Sequence, residues 1–175
     1  MTLDDLGPRL CIMGPSNSGK STLAAAIARA RGLPAIHLDQ LHHKPNTNWE
    51  PRPDDEFLAL HDHAIARPCW VMEGNYSRCL PQRLARATGV MMLDASTTTS
   101  LLRYVRRSWF ERTRHGALDG GSDGVTWAMI RHIAVTTPAN RGRYAMLFDQ
   151  IVLPKLMLST ARDLAEFYRA EGLDR

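Results

Sequence analysis

Five short, mostly apolar runs punctuate the chain: Leu10 to Met13, Ala35 to Leu38, Cys69 to Met72, Gly89 to Leu93 and Leu156 to Leu158. Each is near strand length and lacks the polar alternation of a half-exposed strand, so each reads as a strand covered on both faces. Longer stretches with helical spacing lie between them. Ser21 to Ala30 is an alanine-rich helix former, and Asp54 to Ala66 places Phe57, Leu58, Leu60, His61, Ala64 and Ile65 along one side. Thr98 to Thr113 does the same with Leu101, Leu102, Val105, Trp109 and Phe110. Further helices are expected over 125–136 and 141–152. A last one, capped by Ser159 or Thr160, runs through Arg169 and packs by Leu164, Phe167 and Tyr168. Pro34, Pro68 and Pro138 act as helix breakers, Leu41 to Pro53 reads as irregular, and the glycines between His115 and Gly124 mark a mobile tip or hinge. Strands alternating with helices predict an α/β domain built on a parallel sheet.

The junction between the first strand and the first helix holds the chemistry. Gly14-Pro15-Ser16-Asn17-Ser18-Gly19-Lys20-Ser21 fits Gly-x4-Gly-Lys-Ser/Thr, the Walker A phosphate loop, at every fixed position. The spacing has a physical reason. Gly14 and Gly19 can take backbone angles closed to residues with a Cβ, so that successive N–H groups turn inward around an anion. The following helix adds the positive end of its dipole at Lys20, Ser21 and Thr22. Lys20 is expected to reach the β- and γ-phosphates of ATP, and the Ser21 hydroxyl to ligate Mg²⁺.

Acids at strand ends supply the remaining candidates. Asp39 closes the second run, at the carboxyl edge where open parallel sheets bind ligands, and suits the orientation or deprotonation of a substrate hydroxyl. Glu73 closes the third run and is followed by Gly74, as a metal-water ligand beside a phosphate loop requires. Asp94 closes the fourth run and is its rival. Capping the next helix is an adequate task for Asp94 or Ser96, and Glu73 has no comparable one, so Glu73 is the candidate metal partner. Trp49 suits stacking on a base or sugar, or anchoring a lid. His42, His43, His61 and His63 lack a metal-binding spacing. Arg103, Arg106 and Arg107 lie on one helix face, where they can converge on a polyphosphate; Arg141 and Arg143 are further lid candidates.

Composition narrows the setting. With 175 residues and 44% hydrophobic content the chain has one domain's worth of core. The formal charge is +4, and lysine occurs only at 20, 44 and 155, so the positive charge is chiefly arginine, which suits phosphate oxygens. Cys11, Cys69 and Cys79 have neither disulfide nor metal spacing, and no apolar window reaches transmembrane length. A cytoplasmic protein is expected, without membrane contact, as monomer or homodimer.

These residues together resemble the adenylate kinase-related P-loop small-molecule kinases. Glu73-Gly74-Asn75-Tyr76-Ser77-Arg78 is similar to the Asp-Gly-Phe-Pro-Arg stretch of nucleotide kinases, with Glu for Asp and Asn-Tyr for Phe-Pro. Leu93-Asp94 followed by Leu102-Arg103 and Arg106-Arg107 looks like the strand and arginine helix leading into their lid. Leu38-Asp39-Gln40-Leu41-His42 with Pro45-Asn46, Trp49 and Glu73 to Tyr76 resembles a kinase-like group labelled DNA topology modulation proteins. The resemblance implies a three-layer α/β fold with a five-stranded parallel sheet in the order 2-3-1-4-5, helices on both faces and a helical lid over residues 107–145. It implies ATP and Mg²⁺ as cofactors and a small-molecule acceptor held by Asp39 and Arg78, within a site shared by His42, Trp49, Glu73, Asn75 and Tyr76. Arg103 and Arg107 would face the nucleotide with Lys20. The alternatives are an ATP-binding regulator that associates with nucleic acid, and a plain ATPase. No helix-turn-helix, zinc finger or RNA-recognition signature accompanies the arginines.

Overall fold

The computed structural model describes residues 1–101, apart from 48, 96 and 99, and residues 137–174. Strands β1 (Arg9–Met13), β2 (Ala35–His37), β3 (Trp70–Glu73), β4 (Gly89–Leu93) and β5 (Lys155–Leu158) form one sheet in the order β2-β3-β1-β4-β5. Every pairing is parallel. Parallel neighbours need crossovers, and helices supply them: α2 (Lys20–Arg31), α3 (Leu38–His42), α4 (Asp54–Ile65), α5 (Leu80–Arg86) and α6 (Thr137–Gln150) connect successive strands, while α1 (Leu3–Leu6) precedes β1 and α7 (Ala161–Ala170) follows β5. The expected sheet order holds.

The unbroken apolar runs follow from cover on both faces. On β1, Leu10 and Ile12 join one buried cluster with Leu23 and Ile27 of α2 and Leu164, Phe167 and Tyr168 of α7. Cys11 and Met13, one residue out of phase, join the other with Phe57 of α4, Leu80 of α5 and Phe148 of α6. Strand β4 divides in the same way, Met91 and Leu93 against Val90 and Met92. Side chains alternate across a strand, so both positions of the repeat must be apolar.

Several element limits differ from the sequence expectation, for local reasons. Strand β2 stops at His37, and Leu38 already begins α3, which puts Asp39 in a helical first turn instead of on a strand end. The segment read as irregular is ordered by a bridge between His43 and Pro51, with Lys44 N–H on Glu50 O at 2.9 Å and Arg52 N–H on His42 O at 2.8 Å. Pro138 stands near the start of α6, and the helix over 125–136 that it is expected to end lies outside the described residues. Thr160 is the cap of α7, with Asp163 completing a capping box. The expected elements at 102–136, and most of the lid, lie outside the described residues.

One core residue is anomalous. Arg83 of α5 is completely buried, and its three side-chain nitrogens have no hydrogen-bond partner among the described residues. Its charge acts on the Cys11 and Cys79 thiols and on His61, whose Nε2 is likewise buried and unpaired.

Candidate active site

The phosphate loop is packed between two strands. Gly14 has φ +140°, and a Cβ there would run into the Leu93 carbonyl of β4, so neither angle nor space admits another residue. Asn17 and Gly19 also have positive φ, at 60° and 102°, which turns the loop back toward α2. Helix α2 starts at Lys20 without a side-chain cap, leaving its first N–H groups to an incoming anion. The Lys20 ammonium folds over the loop and donates to Pro15 O at 2.8 Å.

Glu73 lies at the mouth of the loop. Parallel pairing sets Ile12 of β1 opposite Glu73, and His37 of β2 opposite its other side. Ser21 Oγ donates to Glu73 Oε1 at 2.9 Å, and His37 Nδ1 lies 3.0 Å from the same oxygen. Burial alone would raise the Glu73 carboxyl, but the His37 hydrogen bond and the Lys20 charge outweigh it and hold the group below the ordinary carboxylate value. A buried carboxylate beside a loop serine is a hard oxygen pair. It fits Mg²⁺, which keeps waters and phosphate oxygens as its other ligands. Among the described residues no three His, Cys, Asp or Glu side chains cluster as a metal cage. The rival acid is engaged elsewhere: Asp94 receives Arg141 Nε on Oδ1 at 2.6 Å and Nη2 on Oδ2 at 2.7 Å. Both Asp94 carboxylate oxygens are thus engaged by Arg141, while Ser96, the other residue expected to cap the next helix, lies outside the described residues.

After Glu73 the chain turns at Gly74, φ +134°, where a Cβ would press on Leu38. The next two side chains then point to opposite partners. The Asn75 amide pairs with the Gly14 peptide, its Oδ1 accepting from Gly14 N–H at 3.1 Å and its Nδ2 donating to Gly14 O. The Tyr76 hydroxyl donates to Asp39 Oδ1 at 2.7 Å. Burial and the Asp39 charge push the phenol far above its usual range, so it remains a donor. Around this pair stand rings: His42 is 4.8 Å from Tyr76 and 5.1 Å from Phe57, and Trp49 is 5.2 Å from His43. Burial, then the neighbouring His43 charge, lowers His42 below the ordinary imidazole value, so it is neutral near pH 7. Arg78 is exposed and paired with Asp54.

Solved structures share this fold over most of their length, and two of them illustrate it. A gluconokinase from Sinorhizobium meliloti 1021 superposes with TM-score 0.54 at 20% identity, covering 95% of each chain. The fold is that of the P-loop kinases. A sugar kinase from Janibacter sp. HTCC2649, in its unliganded structure, shares it with TM-score 0.51 at 16% identity, covering 92% of this chain and 90% of that one. No family model matches the chain. No curated protein matches it in sequence.

Within this P-loop kinase fold, Gly14 to Thr22, Glu73 and Asn75 gather at the carboxyl edge of the sheet, and Asp39, His42, Tyr76 and Trp49 form the neighbouring group of rings and acid. Arg103 and Arg107 lie outside the described residues. Arg143 is exposed on α6. Sequence reasoning missed His37, whose signal was its place two residues before Asp39 on the strand that pairs with Glu73. It also missed the Asp94–Arg141 pair, which local spacing does not reveal.

Proposed function

We propose that the chain is an ATP- and Mg²⁺-dependent phosphotransferase that moves the γ-phosphate of ATP to a hydroxyl of a small molecule. The observation that carries this reading is the 2.9 Å contact between the loop hydroxyl of Ser21 and the buried Glu73 carboxylate. A phosphate loop serving only as a turn has no need of an acid beside its serine.

In this reading the backbone of residues 14 to 21 and the positive end of α2 hold the phosphates. Lys20 leaves Pro15 O and neutralises charge between the β- and γ-phosphates. Ser21 and Glu73 would hold Mg²⁺, which would supply charge to screen the phosphate oxygens. Asp39, fixed by Tyr76, accepts a hydrogen bond from the acceptor hydroxyl on its second oxygen and aims it. His42 and Trp49 give the acceptor an uncharged wall, and Arg78 guards its rim from the salt bridge with Asp54. Arg103 and Arg107 are proposed to face the transferring group. Two of the structural neighbours, a gluconokinase and a sugar kinase, point to polyhydroxylated acceptors as the first to try.

The test is ADP formation from Mg·ATP over pools of sugars, sugar acids, nucleosides and nucleoside monophosphates, with Lys20→Ala as control. Acceptor-dependent turnover that disappears in the control is expected. Turnover that survives in Lys20→Ala, or an absence of acceptor-dependent turnover in every pool, overturns the reading.

A further inference from the structure

We propose that Asn75 is a positioning residue for the phosphate loop, acting through Gly14 rather than on the acceptor; this rests on the nucleotide-binding part of the reading above. The argument begins with hydrogen bonds that the sheet leaves unmade. Strand β1 ends at Met13 and β3 at Glu73, and the last bond between them runs from Gly74 N–H to Ile12 O at 3.2 Å. One residue further on, the chains diverge, because Gly74 turns away and Gly14 bends into the loop with φ +140°. The buried Gly14 N–H and C=O are then left without a β3 partner, although β4 stands on the other side at Leu93. Such a group is costly to leave unpaired.

Asn75 fills that place with its side chain. A carboxamide has the same donor and acceptor as a peptide, and here both are used on one residue, Oδ1 on Gly14 N–H and Nδ2 on Gly14 O. The pairing fixes the amide's orientation, since the reverse would set donor against donor. Gly14 is thus gripped on two sides, with the Leu93 carbonyl where its Cβ would be and the Asn75 amide along its peptide edge. No aliphatic or aromatic residue at 75 can supply this grip. Tyr76, the next residue, holds Asp39. One turn thereby sets the first glycine of the loop and the acid proposed to aim the acceptor, and the distance between the two is built into consecutive residues.

The experiment compares wild type, Asn75→Ala and Asn75→Asp by two readouts: exchange of the Gly14 amide proton in the nucleotide-free protein, followed by NMR, and affinity for Mg·ADP by calorimetry. Asn75→Ala is expected to speed Gly14 exchange at least tenfold and to weaken Mg·ADP about tenfold, the scale of one or two lost hydrogen bonds. Asn75→Asp retains the acceptor for Gly14 N–H and is expected to keep Gly14 exchange slow while still losing Mg·ADP affinity, since a carboxylate cannot donate to Gly14 O. Unchanged exchange in Asn75→Ala, or unchanged Mg·ADP affinity there, overturns the proposal. Failure of the wild-type chain to bind Mg·ADP overturns the phosphotransferase reading instead, and the two failures are told apart by the nucleotide-free exchange data.

Discussion

The two halves of the site are made of different materials. On the phosphate side the polar groups are backbone atoms or buried and half-buried side chains with fixed partners: Gly14 on Asn75, Ser21 and His37 on Glu73, Lys20 on Pro15 O. On the acceptor side, apart from the hydrogen bond of Tyr76 on Asp39, the contacts are ring against ring and ion pairs near water, such as Lys44 with Glu50 and Arg78 with Asp54. Exposed pairs of that kind contribute about 0–1 kcal/mol each. Trp49 even takes a left-handed φ of +60°, uncommon for so bulky a residue. The phosphate half is therefore preset for a ligand of constant shape, while the acceptor half is held by interactions weak enough to rearrange around its guest.

Substitutions that separate preset from adjustable groups test this contrast. Lys20→Ala removes the one side-chain cation proposed to bridge the β- and γ-phosphates; turnover is expected to fall about 10³-fold with the melting temperature little changed. A fall in melting temperature that accounts for the loss of turnover would deny the lysine its electrostatic role. Tyr76→Phe keeps the ring stack but frees Asp39 Oδ1. Its expected signature is a kcat lowered about tenfold, the worth of one hydrogen bond of about 1.4 kcal/mol, with the KM for ATP unchanged. An equal change in both constants would mean that the tyrosine serves the nucleotide side as well.

Arg83 is buried on α5 near Cys11, Cys79 and His61, and Arg83→Met removes a charge that has no hydrogen bond among the described residues while keeping much of the side chain's bulk. The urea midpoint is expected to rise, by an amount equivalent to about 1–2 kcal/mol, since apolar replacements of buried charges are often stabilising. A lowered midpoint would show that the guanidinium has a compensating partner, the nearby thiols being the first to examine.

The smallest effect concerns pH. Burial, with the Arg83 charge adding to it, holds His61 below its ordinary value of 6.5, against the pull of Asp62. The unfolded chain therefore binds this proton more readily than the folded one. The contribution to stability is complete above about pH 6.5 and is lost as pH falls toward the lowered folded value. His42 adds in the same direction. Urea midpoints measured between pH 7.5 and 5 should decline, and His61→Gln should flatten part of that decline; an unaltered slope in the variant would exclude His61 as its source.

How far the site could be read in advance follows from the same contrast. The phosphate loop was legible because backbone geometry at Gly14 and Gly19 restricts the residue types, so the motif is its own description. Glu73 was legible as an acid ending an apolar run. His37 was not, because its importance lies in the β2–β3 register, which local pattern does not specify. Asn75 was placed with the acceptor, since its residue type names a donor and an acceptor but not the peptide they pair with. Arg83 reads as one more surface arginine in a basic chain, and only the packing of α5 shows it inside. The ordered segment between His43 and Pro51 was hidden for a related reason: its few bonds join residues that carry no strand pattern.

The strand order also imposes a timetable. Strand β1 is made first yet stands in the middle of the sheet, and its neighbours β3 and β4 begin only at Trp70 and Gly89. Until then a nascent chain presents a hydrophobic ribbon, Leu10 to Met13, with both edges open. Parallel partners so distant in sequence are slow to find, and open edges of this kind invite pairing with other chains. The phosphate loop, encoded within the first 21 residues, thus acquires its shape late, when Leu93 and Asn75 arrive to close on Gly14.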